Sequence, residues 1–143
     1  MSRVTLADTI QYDPAFETRV QGRLYARFQL DADGAPDFEE DEDRLRHYII
    51  SLFLHSPNAA DIVDVTYVMD DETYVDPIGY SKDGDNDFRE QITSYGEVPI
   101  IVRVNMGKGV FQQRAWLSNM LENGHAGKSN SAIRVAINRL KTN

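Results

Sequence analysis

The stretch 64–106, DVTYVMDDETYVDPIGYSKDGDNDFREQITSYGEVPIIVRVNM, decides the fold of this 143-residue chain. It opens on Ile62–Met69, where Val63, Val65, Tyr67 and Met69 oppose Asp64 and Thr66, and closes on Pro99–Met106, with Val98, Ile100, Val102, Val104 and Met106 on one side. Apolar residues at a period of two mark half-buried strands. Between them lies an irregular segment rich in Tyr, Asp and Gly, with weaker strand candidates at 78–80 and 88–92. Connections of this kind carry function while strands hold them in place.

Working towards the N-terminus, His47–Leu54, HYIISLFL, is apolar on both faces and bounded by SPNAAD, which reads as a central strand covered on both sides. Before it, Val20, Gly22, Leu24, Ala26, Phe28 and Leu30 alternate with Arg19, Gln21, Arg23, Tyr25, Arg27 and Gln29. That is a half-buried strand with a basic outer face, which predicts contact with the acidic DADGAPDFEEDEDR segment that follows. The acidic segment, holding Gly34 and Pro36, reads as a loop rather than a sheet element. Residues 1–17 show little periodicity, and Pro14 interrupts them; they read as an arm that adds an edge strand. Strands separated by turn signals predict a mainly β protein, an antiparallel sandwich.

Towards the C-terminus the period changes after Gly107-Lys-Gly109. In Val110–Asn123 the pairs Val110/Phe111, Trp116/Leu117 and Met120/Leu121 recur at helical spacing, and Asn123-Gly124 stops the helix. A second helix, capped by Ser129 or Ser131, places Ile133, Ala136, Ile137 and Leu140 on one face. The chain then divides into an arm at 1–17, a sandwich at 18–106 and a helical hairpin at 107–143.

Length and composition are those of one globular domain, with 41% hydrophobic and 27% charged residues. No apolar run reaches the roughly 20 residues of a spanning helix. The N-terminus lacks a signal-peptide core, so a cytoplasmic protein is expected. With no cysteine, thiol nucleophiles and thiolate metal sites are excluded. The net charge of −8 hides an asymmetry: residues 1–102 carry 22 acidic against 8 basic residues, a balance of −14, and residues 103–143 carry 1 against 7, a balance of +6. An acidic body favours a basic protein or peptide partner. The basic tail either folds back on that body or meets an anion.

Motifs with chemistry of their own are missing. GHAGKSNS at 124–131 has the wrong spacing for a phosphate-binding loop and follows a helix, so it reads as a turn between helices. Asp83-Gly-Asp85-Asn-Asp87 resembles a calcium loop, but the sixth and twelfth positions are Phe88 and Ser94; a hairpin turn is expected. His47, His55 and His125 form no i, i+4 pair and stand beside no nucleophile motif. The expectation is therefore a non-enzymatic protein without metal or cofactor. Two alternatives stay open. One is a DNA-binding regulator using Arg134, Asn138, Arg139 and Lys141 of the second helix. The other is an acidic inhibitor, from a phage or mobile element, that mimics nucleic acid.

YIISLFLHSPNAADIVDVTYVM, DETYVDP and SYGEVPIIVRV together resemble, in order, the paired strands, the middle segment and the last strand of YEATS domains, and more closely of their bacterial relatives. The resemblance covers roughly residues 20–106 and implies an immunoglobulin-like sandwich. It further implies a protein-interaction module of a bacterial signalling or defence system. Eukaryotic YEATS domains hold acylated lysine between aromatic rings. Carried onto this chain, that implies Tyr74 and Tyr95 as the rings, Thr73 as the hydroxyl that bonds the acyl amide, and Gly96 as backbone lining. The chain departs from the family pattern in carrying Asp70 or Asp71 where a histidine is expected, and Glu97-Val98 where an aromatic follows the glycine.

Overall fold

The structure, a computed structural model, describes residues 14–72, 74 and 77–143. Among these residues eight strands follow one another: β1 (Arg23–Phe28), β2 (Phe38–Glu40), β3 (Arg46–His55), β4 (Asp64–Met69), β5 (Ile78–Ser81), β6 (Glu90–Ser94), β7 (Pro99–Asn105) and β8 (Val110–Trp116). Helices α1 (Leu117–Gly124) and α2 (Ser131–Thr142) close the chain. All pairings are antiparallel, in two sheets of four strands.

The first sheet is built on β3. Ile50 stands opposite Phe28 of β1 and opposite Ile92 of β6, so β1 and β6 occupy its two edges. Short β2 continues the β1 edge, with Phe38 opposite Tyr48. The second sheet runs β5-β4-β7-β8. The alternation seen in the sequence is the alternation of burial: Leu24, Ala26 and Phe28 on one sheet face Val65, Tyr67 and Met69 on the other across a continuous core. Burial of Ile50, Leu52, Val102 and Val104 completes it, and apolar burial of this extent supplies the main driving force for the fold.

Several expectations are corrected. Val110–Trp116 is not the first half of a helix but strand β8, paired along its whole length with β7. Its apolar pairs fit both periods; the unpartnered edge of β7 after the turn at Gly107, whose φ is +79°, decides for the strand. Only from Leu117 does the helix begin, its backbone N–H donating to Val98 O. The acidic segment is not all loop, because Phe38–Glu40 pairs where β3 extends beyond β1, with the Arg46 guanidinium 4.4 Å over the Phe38 ring. Asp83–Asp87 forms a short 3-10 turn that carries the chain from β5 in one sheet to β6 in the other, not a hairpin. The first strand starts at Arg23, after Gln21 takes a left-handed conformation that ends a helical turn at Phe16–Val20. The edge strand expected of the N-terminal arm falls mostly on residues 1–13, outside the described residues. Asn130, not either serine, caps α2: its side-chain oxygen accepts the Ile133 N–H at 2.9 Å.

The basic face of β1 does not turn to the acidic segment. Arg23 and Arg27 instead donate to the carbonyls of Asn123 and Gly124, at the C-terminal end of α1, where unpaired carbonyls favour cations. Helix α1 lies against the free edge of β1 and serves in place of a neighbouring strand. The Asn123 side chain donates to Leu24 O and the Phe28 N–H donates to His125 Nε2, satisfying edge groups that a strand partner would otherwise satisfy. The approach is so close that a Cβ on Gly124 would lie 1.8 Å from Ala26 O. On α2, Arg134 meets Glu122 at 2.6 Å and Lys141 at 4.0 Å, so two of the cations expected on an exposed basic face are held by the only acidic residue of the tail. Among the described residues no helix is long and apolar enough to cross a membrane.

Candidate functional site

Strands β5 and β6 are the edges of their respective sheets on the same side of the sandwich. Between them opens a cleft of about 480 Å³, within the range of small-ligand sites. Its wall on one side is β6 with Tyr95 just after it; on the other stand Met69, Tyr74, Ile78 and Gly79, and His47 of β3 also lines it. Met69 and Ile92 make a buried apolar floor, and Ile78 is exposed at its margin.

Tyr74 and Tyr95 both line this cleft. Tyr74 is half-buried; its hydroxyl donates to Ser94 Oγ, whose own hydroxyl donates to Gly96 O at 2.7 Å. Burial first, then the nearby charges of Asp71 and Glu97, push the Tyr74 phenol above its ordinary value, opposed by the bond to Ser94. The ring therefore stays neutral at physiological pH, a hydrogen-bonding aromatic wall. Tyr95 lies between Ser94 and Gly96 in the sequence, its ring centroid 5.3 Å from that of His47. His47 in turn is held by Asp41 at 2.8 Å, and that bond heads the causes that lower the Asp41 carboxyl below its usual value.

Gly96 lies behind the lining rather than in it. A Cβ there would come within 3.0 Å of Asn143 O, and the Asn143 side chain donates to Tyr95 O, so the end of α2 braces the turn that carries Tyr95. Glu97 is fixed from both sides, its N–H donating to Leu140 O and its carboxylate accepting the Ser118 N–H at 2.9 Å. Thr73 lies outside the described residues. The hydroxyls that do line the cleft are Thr93 and Ser94, with the Glu90 carboxylate beside them. In the sequence these residues and His47 carry no motif that marks them as a site. The alternation of QITSY would have separated Ile92 and Ser94, facing inward, from Gln91 and Thr93, but nothing local reveals that an edge without a strand partner among the described residues exposes both sets.

The remaining histidines serve the fold. His55 Nδ1 lies 3.1 Å from Asp87, and His125 accepts the Phe28 N–H. Among the described residues no group of three or more His, Asp or Glu side chains is placed to hold a metal ion.

No family model matches the sequence, and no curated protein matches it. Solved structures do. The chain is similar to the Yaf9 YEATS domain recognising an H3K122suc peptide, at 18% identity and a TM-score of 0.45, over 66% of this chain and 67% of that one. It is similar also to the Yaf9 YEATS domain bound to H3K27ac, at 16% identity and a TM-score of 0.46, over 69% of this chain and 74% of that one.

Proposed function

We propose that the protein is a non-catalytic peptide-binding module whose cleft between β5 and β6 takes an acylated lysine side chain from a basic peptide. The observation that carries this reading is the aromatic and apolar lining of one cleft by Tyr74, Tyr95, Met69 and Ile92, with the Glu90 carboxylate beside them. An acylated lysine has an apolar stem and a flat neutral amide, which aromatic rings accept without the desolvation cost of an ammonium group. The Thr93 hydroxyl is a side-chain partner open to that amide, and the Tyr74 hydroxyl, whose proton goes to Ser94 Oγ, can accept from it. Glu90, Asp71 and Glu97, together with a net charge of −8, favour flanking Lys and Arg residues in the peptide. Pairing of Arg134 and Lys141 with Glu122 supports this reading over duplex binding by α2, because those cations are already engaged.

The test is an array of 12-residue lysine-rich peptides, each unmodified and Nε-acylated, read by fluorescence anisotropy. Acylated peptides should bind the wild type, and Tyr95→Ala should weaken them at least tenfold while the melting temperature stays within a few degrees. Failure of every acylated peptide to bind at millimolar concentration refutes the proposal. So does equal binding by Tyr95→Ala.

A further inference from the structure

The cleft is lined by six consecutive residues, Glu90 to Tyr95. Side chains of a strand alternate between its faces, so a cavity bordered by every residue in turn must run along the strand's edge, not over one face. Strand β6 pairs with β3 alone among the described residues, which leaves that edge without a strand partner.

The hydrogen-bonding phase of the edge follows from β3. Ile49 N–H donates to Asp37 O, and Ile49 O accepts the Gln29 N–H, so the backbone groups of Ile49 point towards β1 and β2. By alternation those of Tyr48, Ile50 and Leu52 point towards β6, as does Leu54 N–H, which donates to Asp87 O. The bonded pairs are therefore Tyr48 with Ser94, Ile50 with Ile92, and Leu52 with Glu90. The N–H and C=O groups of Gln91 and Thr93 consequently face the cleft. Tyr95, next in the same phase, has its carbonyl taken by the Asn143 side chain at 3.3 Å, which ends the open edge.

We infer that the peptide is captured by strand addition: an extended, lysine-bearing segment pairs with the edge of β6 through the backbones of Gln91 and Thr93. This rests on the peptide reading above and supplies its geometry. A strand paired there has alternate side chains on the inner side, where one enters between Tyr74 and Tyr95 and the next reaches Ile78. Carboxylates at Glu90 and Asp71 favour a basic occupant, while backbone pairing makes affinity tolerant of the flanking sequence. A second copy pairing edge to edge would bring the same carboxylates together and is disfavoured by like charge.

Thr93→Pro is the direct probe. The Thr93 N–H points away from β3, so proline removes a free donor and no ladder bond, and its ring obstructs an added strand. With the best peptide from the array, Thr93→Pro should weaken binding tenfold or more. Should that variant fail to fold, the same loss is expected from wild-type protein with peptides N-methylated at every second backbone amide, and not at the intervening ones. Amide hydrogen exchange gives a third readout: Gln91 and Thr93 become protected on saturation with peptide. If peptide saturates the wild type and depends on Tyr95 while Gln91 and Thr93 still exchange freely, strand addition is wrong and the cleft reading stands. If no peptide binds, both fall. Protection that depends on protein concentration without peptide identifies a second copy as occupant and overturns the inference.

Discussion

Replacing Gly124 by alanine tests the claim that α1 replaces a strand at the edge of β1. In an ordinary helix Gly→Ala stabilises by about 1 kcal/mol. Here the added Cβ falls 1.8 Å from Ala26 O and 2.7 Å from Ala26 C, both backbone atoms that cannot swing away. Reaching ordinary contact needs a shift of about 1.6 Å between helix and strand. Four hydrogen bonds cross that junction, at 3.0–3.2 Å: Asn123 to Leu24 O, Arg23 to Asn123 O, Arg27 to Gly124 O, and Phe28 N–H to His125. At about 0.5–1.5 kcal/mol each, their weakening outweighs the helix-propensity gain and leaves a net loss of about 2–4 kcal/mol. For a domain of this size that lowers Tm by roughly 6–12 °C. The urea midpoint falls by about 1–2 M at unchanged slope. Asn119→Ala, at an exposed position of the same helix, is the control and should be neutral or slightly stabilising. A Gly124→Ala protein as stable as wild type would refute the close approach, and with it the docking of α1.

Two further perturbations probe the same architecture. His125 is buried, and desolvation, with the Arg27 charge second, holds its pKa below the ordinary histidine value; its neutral form accepts the Phe28 N–H. Because the folded pKa lies below the unfolded one, this contribution is complete above about pH 6.5 and is lost as pH falls through the folded value. Urea midpoints should therefore drop between pH 7.5 and pH 5, and His125→Gln should flatten that slope; an unchanged slope counts against the assignment. Tyr67→Phe removes the buried hydroxyl that donates to Phe88 O at 2.9 Å, where Phe88 itself holds a left-handed φ of 53°. The unpartnered carbonyl should cost about 1–3 kcal/mol by equilibrium unfolding, and a neutral result would show that the carbonyl finds another donor.

The strands were legible wherever burial is one-sided. Val65, Tyr67 and Met69, and likewise Leu24, Ala26 and Phe28, announce themselves because a sandwich buries alternate residues. His47–Leu54 was legible as a central strand, since β3 has partners on both edges, but the cover expected on both faces is uneven: Tyr48, Ile50, Leu52 and Leu54 are buried while His47, Ile49 and Phe53 are only half-buried. Strand β8 was not legible. Its residues are all half-buried or exposed, so its periodicity is weak, and pairing with β7 rather than local pattern makes it a strand. Asn130 as cap was missed because two serines nearby offered the same chemistry, and only the approach geometry selects among them.

Tyr74 and Tyr95 were singled out only through the resemblance to YEATS domains; by itself, the patterning of the sequence determined a mainly β chain with a helical end. Short-range periodicity and residue chemistry suffice for that. The tertiary structure alone decided that Tyr74 and Tyr95 share a cleft with His47, from three separate segments, and that two sheet edges border it. Which edge of a strand lacks a partner depends on the order of strands in space. That order is set by pairing and packing between segments about 30 and more residues apart, such as Met69 with Ile100 and Leu24 with Asn123, and no local pattern encodes it.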